Sequence, residues 1–214
     1  MRSRFGFWAA VVALMAALGY AVPQLLQAAG ILHDPWDRIF IFAPSLLLAP
    51  SFVTAMAALH VVTPQSRHAY SLSGLAIAIM YGTLVSLVYI TQLNVVIPHD
   101  LAGDGGPYAI FACCGTHQFT TGIDLLGYML MSVATLLAAG AFTASSATAG
   151  WSRWTFIANG ILAPFLLFQL LWPWLIYVGA LWLITFPAAM IALALFFRAP
   201  DGTSNEPSSV REAK

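Results

Sequence analysis

Long apolar runs, interrupted by short stretches rich in charge, Gly or Pro, set the rhythm of the chain. The runs cover 7–29, about 39–62, about 71–97, about 121–142, about 154–172 and about 175–197. A helix needs about 20 apolar residues to cross a bilayer core roughly 30 Å thick, and each run comes close to or exceeds that length. The pattern therefore predicts an all-α, polytopic membrane protein, a bundle of six transmembrane helices. The last two are the hardest to separate, because only Trp172, Pro173 and Trp174 mark a turn in an apolar stretch too long for one span of ordinary tilt. After Arg198 the chain changes to Pro, Asp, Gly, Ser and Glu, a composition that buries too little surface to order itself. The predicted organisation is a transmembrane domain over 1–198 and a disordered cytoplasmic tail over 199–214.

Composition supports this picture and excludes others. Of 214 residues, 60% are hydrophobic and 7% charged, with mean hydropathy +0.84, whereas a soluble domain carries roughly 25% charge. The lipid bilayer is the expected partner. A net charge of zero and no basic run remove the electrostatic footprint that nucleic-acid binding needs. The two cysteines, Cys113 and Cys114, are adjacent, so a disulfide framework is excluded and one vicinal bridge is the most they can form.

The distribution of charge predicts orientation. In a six-span arrangement Arg2, Arg4, Arg67, Arg153, Arg198, Arg211 and Lys214 share one side and only Arg38 takes the other, which by the positive-inside rule puts both termini in the cytoplasm. Asp34, Asp37, Asp100 and Asp104 then face outward. Six of the seven tryptophans fall at predicted interfaces, as an aromatic belt does, and Trp182 alone lies deeper. Arg2 and Arg4 ahead of an apolar run, with Gly19 and Ala21 behind it, also have the form of a cleavable signal peptide; continuation of the run to Ala29 favours a retained helix. Abundant Ala, Gly and Trp with a lightly charged exterior point to a bacterial plasma (inner) membrane.

Asp34, Pro35 and Asp37 read as a helix cap, and Thr121 with Asp124 repeats the box before the fourth helix. Asp124 is the one carboxylate near the hydrocarbon, where an acid is otherwise a functional residue by default; both readings stay open. Prolines 23, 44, 50, 164 and 187 interrupt spans, as in the broken helices with which transporters bind substrates. The string Ala43-Pro44-Ser45-Leu46-Leu47 partly repeats as Ala163-Pro164-Phe165-Leu166-Leu167, in helices that would correspond in an inverted repeat.

Intramembrane polar residues concentrate at one depth. Gln24, Gln27, Thr91, Gln92, Asn94, Asp124, Gln169 and Tyr177 all fall near the outer ends of their helices, while the inner half holds little beyond Asn159 and His60. Amides in lipid must be paired or hydrated, so these eight predict an outward-facing pocket, with helix-to-helix adhesion as the alternative. The connection over 98–120 is long enough to act as a lid. It carries His99, Asp100, Asp104, Cys113, Cys114 and His117. Cys113 and His117 have the i,i+4 spacing of a two-point metal clip, but no CxxC or second pair completes a tetrahedral set, so neither metal nor cofactor is expected. HExxH, GxSxG and paired intramembrane carboxylates are absent.

Two short strings resemble known families. Val22-Pro23-Gln24-Leu25 resembles the proline-glutamine pair of PQ-loop transporters over four residues, without the second repeat. Cys113-Cys114-Gly115 resembles the tetraspanin CCG signature, without its partner cysteines or four-span layout. Neither implies a family assignment. The residues predict a protein that binds or translocates a small neutral or weakly polar molecule. A lipid-modifying enzyme using His99, Asp100, Asp104 or His117 at the outer interface and an accessory membrane subunit are the alternatives.

Overall fold

The structure, a computed structural model, describes residues 1–116, 118–143 and 146–200. Regular structure among them is helical throughout: α1 (Arg4–Ala28), α2 (Trp36–Val62), α3 (His68–Thr91), α4 (Ile97–Ala102), α5 (Phe119–Ala138), α6 (Ala147–Gly160), α7 (Ala163–Phe168), α8 (Ile176–Gly179) and α9 (Trp182–Arg198). A π-helical turn, Gln92–Val96, joins α3 to α4. Among the described residues, five helical stretches are long and apolar enough to cross a membrane: Arg4–Ala28, Trp36–Val62, Gln65–Ala102, Phe119–Ala141 and Pro173–Arg198. The predicted tail beyond residue 200, with Arg211 and Lys214, lies outside the described residues, as does His117.

The run over 154–172 forms no single long helix. It divides into α6 and α7, and the division has a local cause. A proline ring collides with the carbonyl four residues earlier and offers no N–H to it; α6 ends at Gly160, four residues before Pro164. Pro44, in the similar string of α2, sits inside a continuous helix, so both strings are helical but one lies mid-helix and the other opens α7. The predicted caps also differ. Ser3 caps α1 by accepting from the Gly6 amide at 2.9 Å, but α2 begins at Trp36 with Pro35 as an N-cap that makes no side-chain bond. Helix α5 starts two residues before Thr121, so Thr121 and Asp124 stand inside the helix and are not its cap.

Helix α1 packs on α2 and α9, α3 on α5 and α2, and α6 on α9. Small residues make this close packing possible. Ala10, Ala13 and Ala17 are completely buried on α1. A Cβ on Gly74 would lie 2.8 Å from the Ala134 carbonyl oxygen, and one on Gly160 would lie 2.5 Å from Leu136 Cβ. Aromatic rings fill the centre, with Phe52 edge-on to Tyr81 and Phe186 at 5.8 and 5.5 Å. Leu47, Val61, Leu87 and Ile184 are among the large apolar side chains left on the outside, as expected of helices solvated by lipid.

The bundle has two chemically different ends. At one, Arg67 donates to the Gly140 and Phe142 carbonyls at 2.8 and 3.1 Å, and the Arg2 amide donates to Ala199. At the other, the C-terminal end of α1, the N-terminal ends of α2, α5 and α9, Tyr89 near the end of α3, and α7–α8 surround a cavity.

Candidate functional site

The cavity has a volume of about 730 Å³, within the range of small-molecule sites. Aromatic side chains form its inner end. Tyr20 lies one turn deeper than Gln24 on α1, Tyr128 one turn deeper than Asp124 on α5, and Trp182 begins α9. The Trp182 ring stands edge-on to Tyr128 at 4.9 Å and to Tyr20 at 5.8 Å. The Tyr89 hydroxyl donates to that of Tyr128 at 2.9 Å, joining α3 to α5 beneath the opening.

Polar groups form the wall. Gln24 donates to Gln27 at 3.1 Å, and Gln27 donates to Asp37 at 2.8 Å. Arg38 is held by Asp34 and, at 2.6 Å, by Asp100, so this cation already has two carboxylate partners. Asp124 is different. It is only 8% exposed, it lines the cavity, and its Oδ1 has no hydrogen-bond partner. The indole Nε1 of Trp182, 3% exposed, is also without an acceptor. A buried polar atom without a partner costs about 1–3 kcal/mol, so two in one cavity wall are a conspicuous departure from ordinary packing.

Of the connection between the π turn and α5, Cys113, Cys114, Gly115 and Thr116 contribute to the cavity lining. Cys113 and Cys114 are joined as a vicinal disulfide. Their sulfur atoms and a carboxylate oxygen of Asp124 lie within 4.8 Å of one another. Gln92 holds this segment from below: its amide donates to the Phe111 carbonyl at 2.7 Å and accepts from the Cys113 amide at 3.1 Å. Thr120 donates to the Ala112 carbonyl, and Thr121 to that of Gly115 at 2.8 Å. Further out, His99 stacks on Tyr108 at 3.7 Å and contacts Asp104 at 2.9 Å.

Of the eight residues singled out from the sequence, Gln24, Gln27, Asp124 and Gln169 line the cavity. The other four lie elsewhere. Thr91 donates back to Leu87 on its own helix, Gln92 is buried against the loop, Asn94 is exposed, and Tyr177 is 79% exposed. His99, Asp100 and Asp104 are not part of the lining. Sequence reading passed over Tyr20, Tyr89, Tyr128 and Trp182. A signal was present, since Tyr20 and Tyr128 stand four residues from Gln24 and Asp124 on the inward side, and Trp182 was the one tryptophan outside the belt. No protein-family model, curated protein or solved structure matches the chain.

Proposed function

We propose that this is a multi-pass membrane protein whose cavity binds a small, neutral or weakly polar molecule, presented from the outer side of a bacterial plasma membrane. The observation that carries this reading is the pair of unpartnered buried groups, the Asp124 Oδ1 acceptor and the Trp182 N–H donor, in one cavity wall. A molecule bearing both a donor and an acceptor would satisfy the two at once, with its apolar part against Tyr20 and Tyr128. Gln24, Gln27 and Gln169 add hydrogen-bonding capacity around it.

The topology is a six-crossing bundle with both termini in the cytoplasm. Two considerations support it. Residues 147–168 together reach about 33 Å at helical rise, so α6 and α7 make a sixth, broken crossing. The basic residues Arg2, Arg4, Arg67, Arg153 and Arg198 fall at the end remote from the cavity, the pattern that positive-inside asymmetry requires. The break between α8 and α9, where Gly179, Ala180 and Trp182 line the cavity, is the kind that a translocating protein uses to rearrange around a substrate.

The test is ligand-dependent thermal stabilisation of the purified full-length protein across a screen of small metabolites. A hit should raise the unfolding temperature of the wild type and of Asn94→Leu. Asp124→Asn and Trp182→Phe should each abolish or sharply reduce the shift. Full retention of the shift by both cavity variants would show that the molecule binds elsewhere.

A further inference from the structure

The side chains at the cavity mouth combine in a way that goes beyond uptake of a small molecule. Cys113 and Cys114 come from the loop, while Asp124 comes from the second turn of α5. The three donor atoms lie within 4.8 Å of one another, and all three residues line the cavity. Asp124 is more than nine-tenths buried and has an oxygen without a partner. The nearest cation in the lining, Arg38, is already held by Asp34 and Asp100. A buried carboxylate beside two sulfur atoms, with no cation assigned to it, becomes a set of metal ligands when the disulfide between the sulfurs is opened to thiolates.

We infer that, once the Cys113–Cys114 disulfide is reduced, the two thiolates and the Asp124 carboxylate bind one thiophilic divalent cation of the zinc or cadmium type at the cavity mouth. The reductant is an external dithiol. Its two thiol groups are oxidised to a disulfide as the Cys113–Cys114 bond is broken and two protein thiols form. Binding of the cation then releases the two thiol protons to water. Sulfur donors select soft or borderline ions over calcium and magnesium. Around a tetrahedral zinc, with Zn–S about 2.3 Å and Zn–O about 2.1 Å, two thiolates stand about 3.8 Å apart and a carboxylate oxygen about 3.6 Å from each. The present spread asks only for side-chain adjustment. Two thiolates and one carboxylate carry three negative charges, so a divalent ion leaves the centre with one. Three protein ligands leave the fourth position open, and here it faces the cavity.

Spacing rules in the sequence miss this site because its third ligand comes from a different element and is not a second Cys or His. The inference also stands apart from the proposed uptake of a metabolite. The disulfide-bonded protein can take up a metabolite without binding metal, and the reduced protein can bind metal with no metabolite present.

Cadmium is the probe, because thiolate-to-cadmium charge transfer absorbs in the ultraviolet. The full-length protein in detergent is reduced with a phosphine, exchanged under anaerobic conditions and titrated. The reduced wild type should bind one cadmium per chain with a charge-transfer band, and the disulfide form none. Cys113→Ser and Cys114→Ser should each lose the band. Asp124→Asn should weaken binding at least about tenfold, a loss of about 1.4 kcal/mol, and exposed Asp104→Asn should not. Absence of the band from the reduced wild type would overturn the site, and needs no variant to fold. Unchanged affinity in a folded Asp124→Asn would remove the carboxylate from it. Metabolite stabilisation measured on the disulfide form is untouched by either result.

Discussion

At the scale of single residues, the site turns on two polar side chains of opposite character. Gln92 is fully engaged, donating to the Phe111 carbonyl and accepting from the Cys113 amide, so its role is to hold the loop at the cavity mouth. Gln92→Leu leaves both backbone groups without their partner, which should cost about 1–3 kcal/mol and speed amide exchange over 106–116. Thermal unfolding and hydrogen exchange measure the two effects, and an unchanged exchange rate would mean that the loop is held by other contacts. Asp124 is the reverse case, a buried acid with an oxygen left over. From sequence both are polar residues at the outer end of an apolar helix, and only their partners separate them. The loop that engages Gln92 has no periodicity to place it, so that distinction was not legible.

At the scale of elements, polar and small residues deep in the bundle hold helices in register. Asn159 on α6 donates to Thr135 on α5 at 3.1 Å and accepts from Thr185 on α9 at 3.0 Å, a three-helix tie outside the cavity lining. Asn159→Leu should lower stability by about 0.6–2 kcal/mol while leaving metabolite stabilisation in place, since Asn159 is not in the lining. Gly74 makes a tight approach between α3 and α5, facing the Ala134 carbonyl and the Ala138 Cβ at 2.8 and 2.9 Å from a would-be Cβ. Gly74→Val should therefore destabilise by about 1–3 kcal/mol through forced backbone displacement, read as a lowered unfolding temperature. Helices α1, α2, α3 and α5 were legible because their apolar runs are long and bounded by charge or glycine. The break between α6 and α7 was signalled by Pro164, but proline alone did not decide it: Pro44 and Pro50 lie within the unbroken α2.

At the scale of the whole molecule, the asymmetry between the two ends organises everything else. At one end the Arg67 side chain donates to the Gly140 and Phe142 carbonyls. The other carries the acids, the amides and the cavity. The clustering of intramembrane polar residues at one depth was visible in the sequence, because helix ends alternate sides predictably once the spans are drawn. Which of those residues share a cavity was not visible, because that depends on rotation of each helix about its axis. The long apolar helices, small-residue packing and apolar outer surface together describe a membrane bundle with a polar-lined recess at one end.

The most direct test of that account is side-specific labelling in intact bacterial cells, with Cys113→Ala and Cys114→Ala as background and single cysteines placed at Gln24, Gln169 and Ser66. A membrane-impermeant maleimide should label Gln24→Cys and Gln169→Cys from outside, and Ser66→Cys only after the cells are opened. Labelling of the two cavity positions only after opening, or on opposite sides of the membrane, would contradict an outward-facing cavity.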